Sequence, residues 1–299
     1  MKQKMPLISV IMPVYNAGNF LCEAIESILN QTYQNFELII VNDASTDGSA
    51  KIIREYIRNY PKKIKAIHLK KNINGGGDAA GNVGFALAKG GYVARMDSDD
   101  VADPSRLEKQ VKYLQTHKRV DVLGSCAEVI NIKGEVTGEK NVPLTHKAIL
   151  QEFFTFHPMI HPTVMVRRSS IIGSVLYSQE LPSNNDYLTF FKLIMNGKRF
   201  ANLPDKLLSY RLHGTNDSLL KLKRNFVNSL RTRQIAVTQL GYKPSIFAVL
   251  KLISQCIVVF ALPERVAVEI YLLVRGIRKW SDYRPANSSI MIPNETTLS

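Results

Sequence analysis

Cysteine is scarce in this chain: Cys22, Cys126 and Cys256 are the three in 299 residues. They lie far apart and form no CxxC pair, which excludes a disulfide scaffold and a thiolate zinc site and fits a reducing compartment. Acidic residues are also few, 25 against 39 Lys and Arg, for a formal charge of +14. Long apolar runs are missing. Ile246–Leu262 is almost wholly apolar for 17 residues, but it carries Lys251 at its centre and sits at the short limit for crossing a bilayer. The opening MKQKMPLISVIMPV lacks a longer apolar core with a small-residue cleavage site, so it reads as a strand and no signal peptide is expected. The hydrophobic fraction of 45% excludes disorder as the dominant state.

The charge is uneven. Between Lys192 and Arg284 there are 17 Lys and Arg against 5 Asp and Glu. A nucleic acid, an anionic membrane surface or phosphorylated substrates could each answer such a region, as could a merely solubilising surface. Arg265, Arg275, Arg278, Lys279 and Trp280 flank the apolar stretch, which suits an element lying in a membrane interface; a buried helical hairpin is the plainer alternative. The last 15 or so residues read as a loose polar tail.

The first hundred residues alternate strand and helix signals. Leu7–Met12, Phe36–Val41, Ile64–Leu69 and Tyr92–Met96 read as strands, and Asn19–Asn30, Ser49–Asn59 and Ala79–Lys89 as helices. Such alternation implies parallel strands with helices on both faces. Ligands of these sheets sit beyond the carboxyl ends of the strands, which puts Pro13, Val14, Tyr15, Asn42, Asp43 and Asp97–Asp100 on one rim. Further on, Pro104–His117, Asp186–Asn196 and a basic Ser218–Leu240 read as helices, and Val120–Ile130 as strand-rich.

The rim holds four carboxylates within seven positions, Asp97, Asp99, Asp100 and Asp103. Hard divalent cations prefer such oxygens and take one or two of them, leaving other positions to water and phosphates. In an extended segment Asp97 and Asp99 point to the same side. Asp103, followed by Pro104, reads as a helix cap, and Ser49, after the Asp47-Gly48 turn, reads as another. Asp43 has no helix to cap, and a carboxylate there can accept a base imide or ribose hydroxyls. In NINGGGDAAGNVG the glycines let the backbone approach a nucleotide; a dinucleotide fingerprint fits poorly, because this is the third strand. Asp186 taken alone would be an N-cap. His157 and His161, each before a proline, read as structural, and Tyr187 and Phe191 as core.

The combination ISVIMPVYNAGNFLCEAIESILNQTYQNFELIIVNDASTDGS, NINGGGDAAGNVGFALAKGGYVARMDSDD, DPSRLEKQV, HPTVMVRRS and KRFANLPDKLLSYRLHG, over roughly residues 6 to 215, resembles the family 2 glycosyltransferases of the GT-A fold. The resemblance implies an α/β fold: a mostly parallel, Rossmann-like sheet flanked by helices. It implies that Pro13, Val14, Tyr15, Asp43, Gly76, Asn82, Asp97 and Ser98 hold the nucleotide-sugar. It implies that Asp99 and His213 serve a Mn²⁺ or Mg²⁺ ion beside the diphosphate, and that Asp186 is the catalytic base of an inverting displacement. Two positions depart from the family pattern. Asn185-Asp186 stands where Glu-Asp is usual, and Gly81-Asn82 where Arg-Asn is common, so that Lys70, Lys71 or Arg95 must supply the missing charge.

The expected organisation is a nucleotide-sugar-binding half over 1–115, an acceptor and catalytic-base half over 116–240, and C-terminal membrane-associating helices with a loose tail over 241–299. The expected partners are a nucleotide-sugar donor, a glycan or lipid-linked acceptor of surface polysaccharide assembly, and an anionic membrane surface, with no nucleic acid. The expected location is the cytoplasmic face of the cell membrane. A sugar nucleotidyltransferase is the alternative enzyme, but it would want a basic glycine-rich loop directly after the first strand, where this chain has PVYNAGNF. The remaining alternatives are a non-catalytic glycan-assembly subunit or a binding module built on the basic last third.

Overall fold

Strand β1 (Ile8–Val14) is buried from end to end because parallel strands flank it on both sides. The computed structural model describes residues 5–73, 77–171, 173–214 and 222–274; Gly76, Trp280 and the tail lie outside the described residues. Strands β2 (Phe36–Asn42) and β3 (Ile64–His68) extend the sheet to one side of β1, and β4 (Tyr92–Arg95) joins on the other, all parallel. The helices between them are α1 (Phe20–Leu29), α2 (Ser49–Asn59) and α3 (Asp78–Leu87). The alternation expected from the sequence is present, with element ends displaced by a residue or two.

Beyond β4 the sheet turns mixed. A two-residue strand β5 (Val101–Ala102) and helix α4 (Arg106–Thr116) follow β4 in the chain; then come β6 (Val122–Ile130), β7 (Val136–Lys140), α5 (His146–Glu152), β8 (Met165–Arg167), α6 (Asn185–Met195) and β9 (Phe200–Arg211). The strand order is β3-β2-β1-β4-β8-β6-β9-β5, with β7 paired to β6. β8 runs antiparallel to β4 and β6, whereas β9 runs parallel to β6 and antiparallel to β5. The chain therefore returns through β9 to the loop that follows β4.

Alternate residues of β1 divide the core. Ile8, Val10 and Met12 pack with Leu21, Ile25 and Leu107 on one face. Ile11 joins Phe85, Phe153, Phe190, Phe191 and Phe200 on the other. Tyr187 and Phe191 are core residues, as the sequence suggests. Helix α7 (Leu222–Thr238) packs on α6, and α8 (Ile246–Ala261) packs on α7 and α9 (Glu264–Val274). Among the described residues no helix is long and apolar enough to cross a membrane.

Two caps differ in detail from expectation. Asp47, not Ser49, caps α2: its carboxylate accepts the Ser49 N–H at 2.9 Å, while Ser49 is the first helical residue and its hydroxyl is buried without a partner. Asp103 accepts the Ser105 N–H at 2.8 Å and so closes the turn into α4.

Gly90, between α3 and β4, is held on three sides by backbone. A Cβ there would lie 2.6 Å from Ser9 N, 2.7 Å from Leu7 O and 2.8 Å from Tyr92 O. None of these atoms can rotate away. Gly90→Ala is expected to destabilise the chain by about 1–3 kcal/mol, read as a lower urea midpoint at unchanged slope.

Candidate functional site

The carboxyl ends of β1, β2 and β4 form the rim, and the loops there are cross-linked. Asn16 Oδ1 accepts the Thr46 N–H at 2.8 Å, and its own N–H donates to Ser45 Oγ at 3.1 Å. Asn16 (φ 50°) and Ala44 (φ 56°) adopt left-handed backbone, which costs about 1–2 kcal/mol per non-glycine residue. Tyr15 stands beside them with 54% of its surface exposed, a ring open to stacking. Asp43 is buried; its Oδ1 accepts the Ile73 N–H at 2.9 Å. Burial pushes its carboxyl up, against the pull of that hydrogen bond. Pro13, Val14 and Tyr15 at the end of β1 and Asp43 after β2 lie side by side, the Asp43 N–H donating to Val14 O at 2.8 Å.

The acidic cluster after β4 does not behave as one unit. The strand stops at Arg95, and Ser98 and Asp99 form a turn, so Asp97 and Asp99 do not lie together on an extended segment. Asp97 turns back to the buried Arg95, Oδ1 to Nε at 2.8 Å, because a buried guanidinium needs a charged partner. Asp99 faces His213 instead, Oδ2 to Nε2 at 2.9 Å. Ser98, half-buried, sits between them.

His213 arrives on the end of β9. Arg211, fully buried, fixes that end: its Nε donates to Asp99 O at 2.8 Å, its N–H donates to Asp100 Oδ1 at 2.8 Å, and its Nη2 pairs with Glu23. The His213 ring stacks on Phe20 at 5.2 Å. Asp100 lies behind Asp99, buried, with Oδ2 unpartnered. Burial first, then the Asp99 and Asp97 charges, push its carboxyl well above the usual range. A carboxylate oxygen and an imidazole nitrogen this close are a donor pair that suits Mn²⁺ better than Mg²⁺. Among the described residues no group of three His, Cys, Asp or Glu could hold a metal, so the remaining positions would fall to water and substrate phosphates.

A second cluster lies at the start of α6. Asp186, in its first turn, has Oδ2 at 3.2 Å from His157 Nε2 and 3.7 Å from His161 Nδ1. The Met159 N–H donates to His157 Nδ1 at 3.2 Å, which leaves the ring proton on Nε2, near Asp186 but outside hydrogen-bond geometry. His161 Nε2 meets the Tyr177 hydroxyl at 2.8 Å. Asp78, at the first position of α3 and 3% exposed, accepts the Asp186 N–H on Oδ2 at 3.1 Å; its Oδ1 has no hydrogen-bond partner and lies 3.9 Å from His161. Burial pushes Asp186 up, but His157 and His161 outweigh it and hold the carboxyl below the usual range. Burial and the Asp186 charge push Asp78 the other way, well above that range. The two carboxyls of the pair are thus pushed in opposite directions, Asp186 down and Asp78 up.

The two departures from the family pattern have structural counterparts. A Cβ on Gly81 would lie 2.9 Å from Arg95 Nη1 and 3.1 Å from the Tyr177 ring. The Arg95 guanidinium fills the space that a side chain at 81 would need, and its Nη1 donates to Gly77 O at 3.1 Å. Lys70 and Lys71 are exposed, so Arg95 is the residue placed to supply the charge. Asn185 is buried and closes the 181–185 turn, bonding Leu181 N–H at 3.0 Å and Leu181 O at 2.8 Å. Asn82, expected on the nucleotide, instead clamps the 176–177 backbone. Its Oδ1 accepts from Leu176 and Tyr177 at 3.0 and 2.8 Å, and its Nδ2 donates to Tyr177 O at 2.8 Å. That grip sets Tyr177 against His161.

Sequence reasoning missed Asp78 and Tyr177, and it took His157 and His161 for structural residues. Asp78 hides as an ordinary acidic residue at a helix start. The two His-Pro pairs were the visible signal.

His161 carries a pH consequence. Burial first, then Arg95, lower it to about 4 from 6.5, against the attraction of Asp186 and Asp97. Between those values the unfolded chain binds a proton that the folded one refuses, so stability falls as pH drops through that window. The loss approaches about 3 kcal/mol. Asp78, raised by burial, works with opposite sign, so the comparison must be with His161→Gln, whose urea midpoint should fall less than the wild type's between about pH 7 and 4.5.

Residues 9–174 match the profile of the family described as glycosyl transferase family 2. An uncharacterized glycosyltransferase of Haemophilus influenzae is 38% identical over 224 residues, covering 71% of this chain and 68% of the relative. Among solved structures, S. aureus TarS 1–349 in complex with UDP superposes with a TM-score of 0.60 at 22% identity, over 85% of this chain and 72% of that one. The mannosyltransferase PcManGT from Pyrobaculum calidifontis, in complex with GDP-Man and Mn²⁺, gives 0.57 at 18% identity, over 90% and 86%. At these identities the two structures establish the fold.

Proposed function

Since this chain belongs to glycosyl transferase family 2 and is an enzyme that transfers sugar from a nucleotide-sugar, we propose that it is a metal-dependent, inverting transferase with a UDP-sugar donor and a glycan or lipid-linked acceptor of surface polysaccharide assembly. The observation that carries the mechanism is Asp186 at the start of α6, with Oδ2 3.2 Å from His157 and 3.7 Å from His161, together with the Asp99–His213 pair at 2.9 Å.

Tyr15 stacks on the donor base and Asp43 accepts its imide N–H. Asp97, anchored by Arg95, faces the ribose, and Ser98 lies beside it. Asp99 and His213 would hold Mn²⁺ or Mg²⁺, which when bound supplies Lewis-acid stabilisation to the departing diphosphate. Asp186 takes the proton of the acceptor hydroxyl as that oxygen attacks the anomeric carbon from the face opposite the diphosphate. A single displacement inverts the anomeric configuration. His157, 3.2 Å from Asp186, favours the charged form of the carboxylate. Asp78 accepts the Asp186 N–H and so holds the backbone of the same turn.

The test is donor turnover with Mn²⁺, one UDP-sugar or GDP-sugar at a time, read as nucleoside diphosphate release with and without a glycan acceptor. The expected result is release from one UDP-sugar. Release from no donor would overturn the catalytic reading, and release from a GDP-sugar alone would overturn the assignment of the base.

A further inference from the structure

Helix α8 leaves one of its two sides uncovered. Ile246, Leu250, Ile253, Ile257 and Phe260 follow each other at steps of four and three, which puts them on a single helix face. Each is 50–66% exposed, and Phe247 beside them is 78% exposed. The opposite side is committed to the protein: Ala248 and Val259 are buried, and Gln255 Nε2 donates to Thr155 O at 3.0 Å. Lys251, whose charge argues against a membrane element in the sequence, lies on that protein-facing side, 3.3 Å from Glu152 on α5. The row Ile246, Leu250, Ile253, Ile257 and Phe260 is apolar throughout, with the exposed Ser254 at its margin. Val266, Leu273 and Val274 of α9 are exposed as well.

The charge of these helices is mostly of one sign. From Leu222 to Val274 there are seven Lys and Arg against two acidic residues, Glu264 and Glu269 of α9. Lys243 is exposed three residues before the stripe begins. At the other end Phe260 meets the Phe226 ring of α7, centroids 5.8 Å apart, and the exposed Lys223 lies one turn from Phe226. An apolar stripe of helical length with cations at both ends matches a bilayer surface rich in anionic lipid: acyl chains for the stripe, headgroups for the lysines. A protein partner would need an apolar face and a separate acidic patch at each end.

We propose that α8 docks flat on an anionic bilayer, its apolar face entering the acyl boundary. Arg233 of α7 donates to Phe154 O at 2.7 Å and to Thr155 O at 3.0 Å, and Gln255 of α8 reaches the same Thr155. These residues directly precede His157. Docking would thus hold the Asp186 end of the site at a fixed height above the membrane, where a lipid-linked acceptor presents its hydroxyl.

The experiment is flotation of the full chain with vesicles of phosphatidylcholine containing about 30 mol % phosphatidylglycerol, against phosphatidylcholine alone. Binding to the anionic vesicles should be about tenfold tighter and should weaken at high salt. The double substitution Ile253→Glu with Ile257→Glu should lower vesicle binding at least about tenfold while the melting temperature and UDP binding stay at wild-type values. Lys223→Glu with Lys243→Glu should remove the anionic preference. The proposal fails if the wild type floats no better than an inert protein, or if the Ile253/Ile257 variant floats equally well. It also fails if sedimentation shows a wild-type dimer that the variant dissolves while neither form binds vesicles, since the face would then belong to a second copy. Loss of sugar transfer is not a readout, so failure here is separable from failure of the enzyme reading.

Discussion

Asp186→Asn is expected to lower kcat by about 10²- to 10⁴-fold, with the donor KM within a few-fold of wild type. The amide has nearly the shape of the carboxylate, and Asp186 is not the N-cap the sequence alone suggests: Asn184 holds that position, so no cap is removed. If Asp186 merely stabilised α6, the variant would keep its rate and its melting temperature together. If Asp186 is the base, the fold survives and turnover does not. His157→Gln provides a finer reading. His157 and His161 hold Asp186 below the usual carboxylate range against the effect of burial. Removing one of them should raise the acid limb of the kcat profile, because the base then protonates at higher pH. A variant that loses rate equally at every pH would point to lost packing instead.

Asp99→Asn is the second large effect. Lewis-acid stabilisation of a leaving diphosphate supplies several kcal/mol, so its loss should lower kcat by about 10³-fold. The readout that separates ion binding from general damage is Mn²⁺ titration in the presence of UDP, followed by the disappearance of the free-ion resonance. Wild type should bind the ion, whereas Asp99→Asn should bind it at least about tenfold more weakly. His213→Ala should do the same, since His213 stands 2.9 Å from Asp99. Chelation should silence wild type reversibly, with activity restored better by Mn²⁺ than by Mg²⁺. Tight Mn²⁺ binding by both variants would remove this pair from the ion site.

Much of the fold was legible because the first half is built from local signals. The apolar runs of β1 and β2, and the helical spacing of α1 and α2, each lie within a dozen residues, and parallel connection rules do the rest. The strand-end position of Tyr15 and Asp43 followed from the same logic. Asp97 and Asp99 were found but mis-aimed, because period-two geometry stops with β4 at Arg95 and the buried guanidinium then claims Asp97. The Asp186 cluster was less legible. Asp78 and Asp186 are 108 residues apart, and nothing near Asp78 marks it as different from a surface helix start. Only the folded chain brings the start of α3 against the start of α6, where Asp78 accepts the Asp186 N–H. Gly81 looked like a loss from the family pattern; its meaning required seeing Arg95 in the vacated space.

The return of β9 to the loop after β4 has a consequence for how the protein is made. Asp99 and His213 are separated by 114 residues, so a ribosome working at about 5–20 residues per second delivers them several seconds apart. During that interval β1 to β4 are already made, while the partner of Asp99 and the whole of α6 are still being synthesised. On the roles proposed above, the donor-binding strands would precede the ion and base residues, and completion of the chain past β9 to His213 would be the timing step for sugar transfer.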